Sequence, residues 1–256
     1  MKVIFNADDF GYSKGVNLGV LESYKHGLVR STSLMATKPA FDHAVLVASE
    51  HPGLGIGAHL SLTSGVKAGT ARYKTLTKGD GSFFEPRRFE SLARGGELSL
   101  DEAREELEAQ LCKMEAAGIK ADHLDTHHHI HCLPGMQELF MELAAKRKLP
   151  IRQYGFSRAY CAERGLATTD AFEGGFYGEG ATVWNLKRLL ESREGAGTLE
   201  VMCHPAYMDR ALYMGSAYNV ERALEMDILT CEEMRGYFAE RGHELCSFGD
   251  VAVSSV

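Results

Sequence analysis

The chain has 256 residues, 45% hydrophobic and 25% charged, with a formal net charge of −7. That length suits one large α/β domain over 1–256 with a full core. The acidic balance argues against nucleic acid as a partner, because phosphate binding needs clustered Lys and Arg. No apolar run reaches the roughly 18 residues of a membrane helix. The chain opens directly on a β-prone run with no signal-peptide pattern. Its six scattered cysteines form no CxxC pair, so reduced thiols in a cytoplasmic protein are the expectation.

The opening run 2–7 is apolar and β-prone, as a buried parallel strand is. It ends on the adjacent carboxylates Asp8 and Asp9, followed by Phe10-Gly11-Tyr12-Ser13. Two carboxylates there are costly if buried without partners. An N-cap Asp beside a solvated one explains them equally well, since a helix over 15–26 follows, and Ser13 or Asn17 can cap or orient the same turn. A strand over 29–36 and a helix over 41–50, with Ala44, Val45 and Ala48 inward, come next. A third strand spans 54–62, where Gly53, Gly55 and Gly57 leave room for another backbone. His59 lies near its C-terminal end, although a lone strand histidine is often a hydrogen-bonded core residue. The pattern weakens over 63–98, a long excursion over the mouth of a site, with Gly79-Asp80-Gly81 as a turn signal. Ser99 then caps a long helix, with Glu102 at the capping-box position and Gly118 as its C-terminal stop.

The stretch His123-Leu124-Asp125-Thr126-His127-His128-His129-Ile130-His131 holds five of the eleven histidines. Residues 122–126 read as a strand, so His123, Asp125 and His127 share one face. A helix over 136–146 follows Pro134 and Gly135. A tag or a His-rich surface loop would lack the interleaved Asp and Leu. A short strand at 150–153 precedes a Gly- and aromatic-rich region, 154–181, in which Phe172, Phe176 and Tyr177 either line a groove or pack. Thereafter come a helix over 182–191 and a strand from 198 that ends on His204, stiffened by Pro205. A helix over 217–227 carries Arg222 and Glu225, Thr230 caps the last helix, which ends near Gly242, and 244–248 is the final strand.

Four strand ends thus carry candidate groups: Asp8/Asp9, His59, His127 and His204. In a β/α barrel such ends meet at one face. One carboxylate and two imidazoles make a three-ligand divalent metal site with open positions. The second carboxylate is left as a base and His204 as a proton donor, the equipment of metal-assisted amide or ester hydrolysis. There is no G-x-S-x-G elbow or P-loop, which leaves Ser13 and Cys203 as weak nucleophile candidates.

Asn6-Ala7-Asp8-Asp9-Phe10-Gly11, Gly57-Ala58-His59-Leu60, the histidine stretch and Cys203-His204-Pro205 resemble the motifs of the YdjC-like carbohydrate deacetylases, which include chitooligosaccharide deacetylases. The motifs come in the family's order, and Arg222 to Leu229 resembles a late one. The resemblance implies an irregular β/α barrel related to polysaccharide deacetylases. It implies hydrolysis of N-acetyl groups from amino sugars or chitooligosaccharides, with release of acetate. By position, Asp9, His59 and His127 match the metal ligands, Asp8 the catalytic base and His204 the proton donor. His129 and His131 are left to substrate contact or a supporting role. The resemblance implies magnesium and a homodimer, yet two imidazoles suit zinc or another transition metal better. A metal-dependent hydrolase of a phosphoester or cyclic amide, an iron oxygenase, or a silent sugar-binding domain uses the same donors.

Overall fold

The computed structural model describes residues 1–251. Its strands are β1 (Lys2–Phe10), β2 (Ser31–Leu34), β3 (Gly55–Leu60), β4 (Leu124–Thr126), β5 (Ala171–Glu173), β6 (Thr198–Cys203) and β7 (Glu244–Leu245). They interleave with helices α1 (Lys14–His26), α2 (Phe41–Glu50), α3 (Pro86–Arg94), α4 (Leu100–Ala116), α5 (Met136–Arg147), α6 (Arg158–Ala162), α7 (Val183–Glu191), α8 (Arg210–Gly215), α9 (Val220–Thr230) and α10 (Glu232–Arg241). All strand pairings are parallel, in the order β4-β3-β2-β1-β6-β5, with β7 also on β1. Single parallel bridges from Ile151 to Leu124 and to Thr168, just ahead of β5, join the two ends of the sheet. The fold is therefore the expected irregular α/β barrel, curled continuously through six strands and closed by single residues.

Alternation along the strands sorts the side chains. Val3, Phe5 and Ala7 of β1 enter the main apolar core, as do Leu124 of β4 and Leu199, Val201 and Cys203 of β6. The alternate residues face inward. Ile4 joins Phe248 in a small apolar cluster low in the barrel. Above it the inward positions turn polar: Asn6 and Asp8, Ser33, His59, Asp125 and Glu200, all buried. Layered filling of a barrel interior is general; here the upper layer carries charged residues.

The expected elements are recovered with several corrections. The strand at 150–153 shrinks to the Ile151 bridges, because Pro150 has no N–H to give a ladder. Strand 29–36 shortens to Ser31–Leu34, and 244–248 to Glu244–Leu245 followed by a 3-10 turn, Phe248–Asp250. Thr230 ends α9 rather than capping α10, which Cys231 caps. On α2 it is Val47 that joins Ala44 and Ala48 in the core, with Val45 half-buried. The excursion 63–98 contains an unforeseen helix, α3, besides antiparallel bridges Val66–Ser82 and Thr77–Phe83. Ser99 does cap α4, but Glu102 does not complete a capping box. Its carboxylate accepts from the backbone N–H of Lys74 and Thr75 at 2.8–3.0 Å. Glu106 likewise accepts from Ala68 and Gly69 at 2.8 and 2.9 Å. Both carboxylates tie the excursion to α4, and its Glu85 and Pro86 reach the rim of the main cavity.

Candidate active site

The register of β1 against β2 slips between Ala7 and Phe10, and Asp9 lies in the left-handed region at φ 70°. In a regular strand Asp8 and Asp9 would point to opposite faces. The bulge turns both into one cavity, which is how bulges re-aim side chains. Holding a non-glycine residue there costs about 1–2 kcal/mol, and Asp9 is held by strong partners. Its Oδ2 accepts from Arg222 Nη2 at 2.6 Å. Its Oδ1 faces His127 Nδ1 at 2.9 Å and His59 Nε2 at 3.4 Å, and these two nitrogens are 3.3 Å apart.

This triangle of buried donor atoms fits a metal ion. Ligand bonds of about 2.0–2.2 Å around one ion place neighbouring ligand atoms roughly 2.8–3.6 Å apart, as these edges are. Asp9 Oδ1 makes no well-formed hydrogen bond among the described residues. His59 Nδ1 lies 2.8 Å from Asp125 Oδ1; a proton there leaves the Nε2 lone pair aimed at the triangle, the carboxylate–histidine arrangement that orients metal ligands. Burial alone would lower the His59 pKa. The charges of Asp125 and Asp8, with the hydrogen bond to Asp125 and the nearby Asp9 carboxylate, outweigh it and raise it to about 10. Burial keeps His127 below its ordinary value despite Asp9. The carboxylates around His59 thus favour positive charge at this point of the site.

A second group, Asp8, His59 and Asp125, also converges, but a protein cation already fills it. Arg152, fully buried, donates through Nη1 and Nη2 to the two oxygens of Asp8 at 2.7 and 2.6 Å. The same guanidinium lies 2.9 Å from Asp125 Oδ2 and donates through Nε to Glu200 at 2.7 Å. Against the opposing effect of burial, Arg152 holds Asp8 below the usual carboxylate range. Glu200 moves the other way: burial, with Asp125 and Asp8 adding to it, pushes it up to about 7 against the pull of Arg152.

His204 stands across the cavity with Nε2 3.9 Å from Asp8 Oδ2 and Nδ1 3.8 Å from Glu225 Oε1. Glu225 also accepts from the His204 backbone N–H and from the Tyr218 hydroxyl. Tyr177 and Tyr218, stacked at 3.9 Å, present edges to the imidazole. Asp8, Asp9, His59, His127, His129 and His204 all line one cavity of about 690 Å³.

The histidine stretch divides by level. Its strand part behaves as alternation requires: β3 and β4 pair His59 with Asp125, and His123 lies one step deeper on the same face. There it stacks on Phe248 at 4.0 Å and hydrogen-bonds Asp122. Gly57 is the reason it fits, since a Cβ at that position would stand 2.2 Å from the imidazole. His127 then opens a 3-10 turn, His127–Cys132, in which His128 and His129 are left-handed at φ 56° and 50°. His128 meets Thr63 Oγ1 at 3.0 Å. His131 departs from the expected substrate contact: it is fully buried away from the cavity. Both its nitrogens are engaged, by Thr126 Oγ1 at 2.5 Å and the Tyr154 carbonyl at 2.9 Å.

Three functional neighbours escaped the sequence reading: Asp125 as the partner of His59, Arg152 and Glu200. The available signal was charge in apolar surroundings. Glu200 interrupts a buried strand run and Arg152 follows Ile151, and charged groups are seldom placed there without a partner.

Known proteins supply the context for this arrangement. A carbohydrate deacetylase of Brevibacillus brevis is 38% identical over 98% of this chain and its own full length. The crystal structure of an Enterococcus faecalis protein named for cellobiose-phosphate cleavage superposes with a TM-score of 0.86 at 31% identity, covering 96% of this chain and 97% of that one. A peptidoglycan N-acetylglucosamine deacetylase shares the fold at a TM-score of 0.55 and 10% identity, over 99% of this chain and 89% of its own. The family model described as YdjC-like protein matches residues 2–240. The chain belongs to the YdjC-like family.

Proposed function

We propose that this chain, acting as one unit, is a metal-dependent deacetylase that hydrolyses the N-acetyl group of acetylated amino sugars or their oligomers and releases acetate. One observation carries the reading: an open triangle of Asp9, His59 and His127 beside a separately held carboxylate and imidazole, Asp8 and His204. The deacetylase name of a full-length relative supports the reaction class.

Asp9, His59 and His127 would hold one divalent ion. When bound, such an ion acidifies a water and polarises an acyl carbonyl. The remaining work belongs to the chain. Asp8, kept ionised by Arg152, is always in its proton-accepting form, but its low proton affinity means that it can take a proton only from an acidified water. It receives that proton at Oδ2, the oxygen nearer His204. His204 Nε2 delivers a proton to the departing sugar amine, and Glu225 fixes the histidine backbone. Arg222 and Asp125 keep Asp9 and His59 aimed at the triangle. The imidazole-rich donor set favours zinc or another transition metal over the magnesium that the family resemblance implies. No helix among the described residues is long and apolar enough to cross a membrane.

The test is acetate release from N-acetylglucosamine and its oligomers by chelated protein with single metals restored. Phosphorylated disaccharides join the panel, since the E. faecalis protein is named for one. Acetate that appears only with metal is the expected result. Metal-loaded protein that releases none from any of these substrates, yet cleaves a phosphoester or cyclic amide, overturns the reading.

A further inference from the structure

Beside the main cavity lies a second hollow of about 620 Å³ that the proposed mechanism does not use. The two share His129, Gly174 and Met202 in their walls, so they form one continuous trench. The far part presents two aromatic side chains. Tyr154, 40% exposed, meets Phe172 edge to face at 5.3 Å and packs on His129 at 4.1 Å. The Tyr154 carbonyl accepts from His131 Nε2 at 2.9 Å, and His131 is wedged between Phe140 and Phe156 at 5.0 and 5.2 Å. The two histidines without a part in the reaction thus have a common one: His131 anchors the Tyr154 backbone and His129 supports its ring. Arg193 on the rim is already paired with Glu173 at 2.6 Å, so the hollow offers an aromatic face rather than an anion site. A concave site with a rigid aromatic surface and a polar rim suits a flat ring that is apolar on its face and polar at its edge.

We propose that this hollow is a second sugar subsite: with the acetamido ring in the main cavity, the next ring of a disaccharide or longer oligomer crosses Gly174 and stacks on Tyr154 and Phe172. The assignment rests on the deacetylase reading of the adjoining cavity. Gly174 is the crossing point. A Cβ there would stand 3.2 Å from Phe172 Cε1 and 3.6 Å from Met202 Cε, and its φ is outside the left-handed region. A larger side chain is therefore compatible with the backbone once the Phe172 ring gives by a few tenths of an ångström, and it dams the trench.

The experiment compares kcat/KM on N-acetylglucosamine and its β-1,4-linked dimer for the wild type, Tyr154→Ala, Tyr154→Phe and Gly174→Val. Saturation-transfer NMR of the dimer accompanies the kinetics. The wild type should prefer the dimer by about tenfold or more. Tyr154→Ala and Gly174→Val should collapse that preference to within about threefold, while Tyr154→Phe retains it. The NMR should show both rings in contact with the wild type and one ring with Tyr154→Ala. Equal use of monomer and dimer by the wild type overturns the subsite, as does equal loss on both substrates in the variants. Dimer held by both rings in the wild type and by one in Tyr154→Ala, with no acetate from either sugar, supports the subsite and rejects the deacetylase reading. Acetate from both sugars regardless of Tyr154 does the reverse.

Discussion

Two clusters in the upper barrel share His59 and are built from the same residue types, yet they differ in what balances their charge. Below, Asp8, Asp125 and Glu200 surround Arg152, whose donors point at all three carboxylates. Above, the donor atoms of Asp9, His59 and His127 converge on one another, and the only guanidinium is that of Arg222, held to the outer oxygen of Asp9 at 2.6 Å, among the described residues. A convergence of carboxylates and imidazoles is therefore not by itself a metal site, since a guanidinium such as that of Arg152 balances the same charge. The lower cluster serves the upper one. It holds Asp8 ionised and, through Asp125, directs the Nε2 of His59 toward Asp9 and His127.

Breaking each cluster should produce different failures. The largest effect is expected on catalysis. Asp8→Asn should lower acetate release by about 10³-fold or more, the order a general base supplies, without loss of fold by circular dichroism. An active Asp8→Asn enzyme would remove Asp8 from the role of base. Next comes stability. Arg152→Met leaves buried carboxylates without their cation, a change that typically costs about 3–5 kcal/mol. Urea denaturation should show this loss, whereas Arg94→Met, which breaks only an exposed pair with Glu90, should cost less than about 1 kcal/mol. A third expectation concerns Asp125→Asn, which keeps the shape but weakens the hold on His59. Isothermal titration should give a metal affinity about 10–100-fold lower; an unchanged affinity would deny Asp125 its orienting role.

The smallest effect is on pH dependence. In metal-free protein His59 titrates at about 10, against 6.5 for the free side chain. A pKa raised in the folded state adds stability that is fully present below about 6.5 and is lost as pH rises through about 10. The melting temperature of chelated wild type should therefore fall more between pH 7 and 10 than that of His59→Gln. Saturating metal should abolish the difference, since the ion replaces the proton. Parallel melting curves would contradict the charge balance drawn for this site.

The sequence was most informative where period and chemistry coincide. Recurrent acidic and histidine residues at the ends of apolar strands pick out Asp8, Asp9, His59, His127 and His204, which line one cavity, and alternation puts His123 and Asp125 on one face. Alternation carried no register, so it did not reveal that His123 lies one layer too deep to reach the cavity. The bulge at Asp9 left no sequence signal, because a left-handed Asp looks like any other Asp. Arg152 and Glu200 were hidden for a different reason: each is defined by partners more than forty residues away, which no local pattern encodes. The excursion concealed α3, whose helix has only Phe89 and Ala93 buried, too few to impose a readable period.

The most direct measurement is the metal content of Asp8→Asn beside Asp9→Asn after equilibrium dialysis. One ion per chain is expected in Asp8→Asn, as in the wild type, and almost none in Asp9→Asn. An ion lost from Asp8→Asn and retained by Asp9→Asn would contradict it, and would move the metal into the cluster assigned here to Arg152.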